Sequence, residues 1–109
     1  MAMTVRTEGS AVIILLDGRL ALGGPVDDFR AAWMQAVNDG AKNLVINMTT
    51  VTMVDSTGIG SMIRCHSAMT QAGGKVKLVG TSPTVRQAFK ITRLDQVFEF
   101  YDSEKSALA

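Results

Sequence analysis

From Ala11 to Tyr101, short apolar runs of strand character alternate with segments whose apolar residues recur at helical spacing. No other feature of the chain constrains its fold as much. Strands separated by helices need crossover connections, so they should lie parallel in one sheet. The start differs: residues 4–8 and 11–16 read as two strands with Gly9 and Ser10 between them, the pattern of a hairpin. Asp17 and Gly18 are then expected to turn the chain into a short extension over 19–22.

Gly23, Gly24 and Pro25 announce a helix, since Pro suits the first helical position and Asp27 and Asp28 complement the dipole. Its inward residues are Val26, Phe29, Trp33, Ala36 and Val37, and Gly40 stops it. Leu44, Val45 and Ile46 in a row within 43–48 predict a strand buried on both faces, followed by a turn at 49–50. The next helix should place Ile59, Met62, Ile63, His66 and Met69 along one side and end at Gly73 and Gly74. Lys75–Val79 reads as a strand, and Ser82 caps a helix with Pro83 first and Val85, Ala88 and Phe89 inward. A last strand over 97–101 and a short helix capped by Asp102 or Ser103 complete the chain. The expectation is an α/β fold: one mixed sheet of about five strands, largely parallel after the hairpin, covered by about four helices, in a single domain over 1–109.

Composition narrows the function classes. With 47% apolar residues the chain is not disordered, and a net charge of +1 argues against a protein that neutralises phosphates along nucleic acid. Arg86, Lys90 and Arg93 fall at i, i+4, i+7 and predict one basic helical face, a solvated surface or a stripe for an acidic protein, without interleaved aromatics for bases. The longest apolar run, 11–16, is too short to span a bilayer, and the N-terminus lacks a signal-peptide pattern, so a soluble cytoplasmic protein is expected. The single Cys65 has no metal-ligand companions, and no cofactor or metal is expected.

Residues 51–60, reading Val-Thr-Met-Val-Asp-Ser-Thr-Gly-Ile-Gly, concentrate the remaining chemistry. Asp55, Ser56 and Thr57 stand where a strand gives way to a helix, beyond the carboxyl end of the strand, where open α/β sheets place functional loops. A helix start favours an anion through its free N–H groups and dipole, yet Asp, Ser and Thr are also ordinary N-caps. A nucleophilic pair is excluded: His66, the one histidine, lies ten residues from Ser56, about 15 Å along a continuous helix. Asp55-Ser56-Thr57-Gly58 also differs from the aspartic-protease Asp-Ser/Thr-Gly motif by an extra residue. The glycine pairs form neither a dinucleotide fingerprint nor a P-loop, so an enzyme is not expected.

Over residues 4–108 the chain resembles the STAS domain of bacterial anti-sigma-factor antagonists. The likeness rests on Asp17-Gly18-Arg19-Leu20, Asn43-Leu44-Val45-Ile46-Asn47, Gly73-Gly74-Lys75-Val76-Lys77-Leu78, the Ser82-Pro83 helix start and above all Met53-Val54-Asp55-Ser56-Thr57-Gly58-Ile59-Gly60. The resemblance implies an unphosphorylated form that binds a serine-kinase anti-sigma factor and releases the sigma factor. The kinase then phosphorylates the serine after the aspartate, and a serine phosphatase restores it. By position the acceptor is Ser56, with Thr57 the second possibility. The partner-binding set expected with it is Asp55, Ser56, Thr57, Gly58, Ile59, Gly60, Ser61, Arg64 and Arg19. Within it, Gly58 and Gly60 would admit a partner backbone, or only serve the turn, and Ser61 and Arg64 would lie on the exposed side of the helix. The chain departs from the Gly-Glu-Leu-Asp-type turn of many members with Gly18-Arg19-Leu20-Ala21, which bears on partner identity. A monomer or weak dimer without direct nucleic-acid or membrane contact is expected. A scaffold subunit of a stress-sensing assembly and an accessory component of a transport system are the alternatives.

Overall fold

The computed structural model describes residues 2–109. β1 (Ala2–Glu8) and β2 (Ala11–Leu20) form the hairpin, turning at Gly9 with φ 58°. α1 (Gly24–Asn38), β3 (Asn43–Val54), α2 (Ser56–Gln71), β4 (Lys75–Val79) and α3 (Pro83–Ile91) follow. A 3-10 turn at Leu94–Gln96 leads to β5 (Glu99–Tyr101) and α4 (Glu104–Leu108). The five strands form one sheet in chain order, with β1 antiparallel to β2 and the other pairings parallel.

Side-chain alternation splits the core in two. Ile14, Leu16, Leu44, Ile46, Met48, Val76 and Leu78 face Phe29 and Trp33 of α1, Met62, Cys65 and Met69 of α2, and Val85 and Phe89 of α3. Ile13, Val45 and Val79 point the other way, where Ala107 of α4 completes a smaller cluster with Tyr101 and Leu108 against it. Three helices thus cover one face, and α4 covers part of the other. Polar bonds hold α4 there: Glu104 accepts from Arg6 and from Asn47 Nδ2 (2.6 Å), and Lys77 Nζ donates to the Ala107 carbonyl (2.7 Å).

Several expected boundaries move. Asp17 and Gly18 do not turn the chain; they sit within β2, at register shifts where it bulges against β3. Thr49 and Thr50 make no turn either, because β3 runs unbroken for 12 residues. β-branched threonines suit extended backbone, and Thr50 Oγ1 donates to the Leu16 carbonyl (3.2 Å). The last strand begins only at Glu99, since Val97 closes the 3-10 turn and Phe98 is buried. The basic face breaks up as well. α3 stops at Ile91, where Thr92 Oγ1 donates to the Ala88 carbonyl (2.8 Å), and Arg93 is left-handed at φ 59°. Arg86 lies over the Phe100 ring, 3.7 Å from its centroid, so within α3 itself Lys90 is the one exposed member of that stripe.

Candidate functional site

β3 delivers Asp55 to the carboxyl edge of the sheet, in extended backbone at φ −88°, ψ −178°, and α2 begins with the next residue. Asp55 is the N-cap, and both of its carboxylate oxygens are in use. Oδ1 accepts from the Gly58 N–H (2.8 Å) and from the Thr57 hydroxyl (2.7 Å). Oδ2 accepts from the Leu22 N–H (2.8 Å), on the loop joining β2 to α1. The Thr57 hydroxyl, followed by the Gly58 and Leu22 amides, holds the carboxyl below the usual aspartate range, because each donor favours the charged form.

The two adjacent hydroxyls therefore differ in kind. Thr57 is partly buried and committed to Asp55, whereas Ser56 is exposed and its hydroxyl has no hydrogen-bond partner among the described residues. Ser56 also lines a groove of about 300 Å³ with Val54, Asp55, Ile59, Ala88, Ile91 and Thr92. Arg19 is exposed in β2, opposite Met53, one strand pair from the Leu20–Val54 pair that precedes Asp55. Arg64 is exposed too, and its guanidinium folds back over Gly60, with Nη2 3.8 Å from where a Cβ would stand.

Three of the expected partner-facing residues are turned inward. Ser61 is 1% exposed, and its Oγ accepts from the Trp33 indole N–H (3.1 Å), linking α2 to α1. Gly58 is buried as well: a Cβ there would stand 2.6 Å from the Leu20 carbonyl oxygen and 2.8 Å from Val54 Cγ1. Its missing side chain serves the close approach of helix to strand and leaves no room for a partner backbone. Ile59 is 7% exposed and reaches the surface only as groove lining. The core stripe of α2 shifts accordingly, with Cys65 fully buried and Ile63 42% exposed. Burial pushes the Cys65 thiol up to about 12, far from thiolate chemistry. His66 is partly buried, with its ring edge-to-face with Phe98 at 5.2 Å.

Sequence reasoning missed Leu22, Ala88, Ile91 and Thr92. They come from elements far apart in the chain, Leu22 lying 33 residues before Asp55. Among the described residues no group of three or more His, Cys, Asp or Glu could hold a metal ion, and no helix is long and apolar enough to cross a membrane.

The family model of the STAS domain matches residues 2–107. The anti-sigma-B factor antagonist of Staphylococcus aureus is 27% identical over 78 residues, 67% of this chain and 72% of its own length. The unphosphorylated anti-sigma factor antagonist SpoIIAA has a similar structure, with a TM-score of 0.85 and 26% identity over 98% of this chain and 93% of its own. The phosphorylated form of SpoIIAA, from Bacillus, superposes with a TM-score of 0.78 and 25% identity, covering 98% and 96%. With the matched residues extending from β1 into α4, the chain belongs to the STAS family.

Proposed function

We propose that this protein is an anti-sigma-factor antagonist switched by phosphorylation of Ser56. In this reading the unphosphorylated form binds a serine-kinase anti-sigma factor in the cytoplasm and frees the sigma factor. The kinase transfers the γ-phosphoryl group of ATP to Ser56 Oγ, the complex separates, and a serine phosphatase resets the cycle. The protein itself acts as a binding module and not as an enzyme.

One observation carries the reading: of two neighbouring hydroxyls at the start of α2, only that of Ser56 is exposed and unbonded among the described residues. A phosphate there gains about −1.5 to −2 charges at a helix N-terminus, where the dipole tolerates them. The fold should survive, and the cost should fall on the complex, whose desolvated surface meets a phosphate beside Asp55. A hundredfold loss of affinity needs only about 2.8 kcal/mol. The relatives named as anti-sigma factor antagonists, and the existence of a phosphorylated form of one of them, support this choice over a scaffold or transport role.

The test is to incubate the protein with a purified anti-sigma kinase and ATP and to map the phosphate by peptide mass spectrometry. Ser56→Asp should bind the kinase about a hundredfold more weakly, and Ser56→Ala should remain bound in the presence of ATP. Wild-type affinity in Ser56→Asp would overturn the switch.

A further inference from the structure

The loop between β2 and α1 offers a second determinant beside Ser56. Leu22 is 76% exposed and Ile91 74%, the two most exposed large hydrophobic side chains among the described residues. Both stand at this site: Ile91 shares the groove with Ser56, and the Leu22 amide is bonded to Asp55. Backbone bonds flank the Leu22 loop, from the Asp55 N–H to the Leu20 carbonyl (3.2 Å) and from the Asp27 N–H to the Gly23 carbonyl (3.0 Å), and the Asp55 carboxylate holds the Leu22 N–H between them. Gly23 and Gly24 follow it, Gly23 at φ 106° and without a side-chain cap for α1, and a Cβ at either glycine would meet nothing within 4 Å. A leucine followed by two glycines and presented to water gains nothing from folding, yet its backbone is tied at 2.8 Å to a carboxylate that already caps α2.

We propose that Asp55 is a positioning residue for this loop, and that Leu22 is the apolar anchor it presents to the protein partner. The inference rests on the reading that the Ser56 surface docks an anti-sigma kinase, and it goes beyond it by assigning the partner an apolar recess for Leu22. The two carboxylate oxygens divide the work: Oδ1 caps α2, and Oδ2 holds the loop. An ordered leucine loses less freedom on docking than one on a mobile loop, which raises affinity without adding a contact. The arrangement also couples the loop to the switch. A phosphate on Ser56 would place its negative charge next to the same carboxylate that holds the Leu22 N–H.

Asp55→Asn separates the two tasks. The amide oxygen can still cap α2, as Asn caps as well as Asp does, but the NH2 group then faces the Leu22 N–H, donor against donor. Amide hydrogen exchange of Leu22 in the free protein reads the positioning directly, and Asp55→Asn should speed it about tenfold while amides in the middle of α2 keep their protection. Titration calorimetry with the purified kinase reads the docking. Leu22→Ala and Asp55→Asn should each weaken binding about tenfold, and the double variant should lie within about twofold of either single one, since both remove the same anchored loop. Unchanged Leu22 exchange in Asp55→Asn, wild-type affinity in Leu22→Ala, or losses that multiply in the double variant would each overturn the proposal. Ser56→Asp in the same titration keeps the two readings apart. If it fails to bind while Leu22→Ala binds normally, the switch stands and this inference falls. If it binds normally while Leu22→Ala does not, the switch falls and the anchor stands. A kinase that ignores the wild-type protein overturns both.

Discussion

Ser56 and Thr57 carry nearly the same side chain one residue apart, yet only Thr57 can close a bond to the capping carboxylate. Thr57→Val should therefore leave phosphorylation at Ser56 intact, checked by phosphopeptide mapping, while loosening the cap. The depressed Asp55 carboxyl sets the sign of its pH effect. Its contribution to stability is complete above the ordinary aspartate range and is lost as pH falls through the lowered value, so thermal melts should show it only below about pH 4. Gly58→Ala drives a methyl against the Leu20 carbonyl, and urea denaturation should show a loss of about 1–3 kcal/mol. Ser61→Ala leaves the buried Trp33 indole N–H without its acceptor, at a cost of about 1–3 kcal/mol. Asp55 as a cap was legible from its residue type and place. Gly58 and Ser61 as core residues were not, because small side chains leave no mark in an apolar periodicity. The periodicity points to Ile63, whereas the buried stripe passes through Cys65.

Elements were legible wherever a run of apolar residues or a cap announced them. Ser82 caps α3 by accepting from the Val85 N–H (3.2 Å), and Ser103 caps α4 with a reciprocal bond to Ser106. Boundaries failed where turn-forming residues met a partner strand. Asp17-Gly18 and Thr49-Thr50 look like turns in isolation, but the pairing of β2 with β3 keeps both segments within their strands, Gly18 at a bulge with φ 99°. No local signal in the sequence reports that pairing. The end of α3 escaped for a similar reason: the basic spacing continues past Ile91, while the Thr92 hydroxyl takes up the last carbonyls and Arg93 turns left-handed. α4 depends on Glu104, whose carboxyl the Arg6 guanidinium, and then the Asn47 amide, hold below the usual glutamate range. Protonation should weaken that attachment as pH falls through the lowered value, so the Ala107 amide should lose protection, relative to its intrinsic exchange rate, below about pH 4. Glu104→Gln should show the lower protection already at neutral pH, and protection unchanged in both cases would contradict the latch.

At the scale of the molecule, the parallel crossovers bring the end of β3, the loop after β2 and the end of α3 to one edge of the sheet around Ser56. The alternation of strands and helices pointed to the carboxyl edge for residues 55–58 alone, and the STAS resemblance named the serine. The loop and α3 residues that surround it depended on distances only the folded chain supplies. Because Ser56 sits at a helix start on the surface, phosphorylation should leave the far-UV circular dichroism spectrum unchanged and the melting temperature within a few degrees. The decisive measurement is the affinity of one purified anti-sigma kinase for the unmodified protein and for the same protein carrying a single mapped phosphate. The account predicts that phosphate on Ser56, an intact fold and about a hundredfold weaker binding. Phosphate on Thr57, or equal affinity of the two forms, would contradict it.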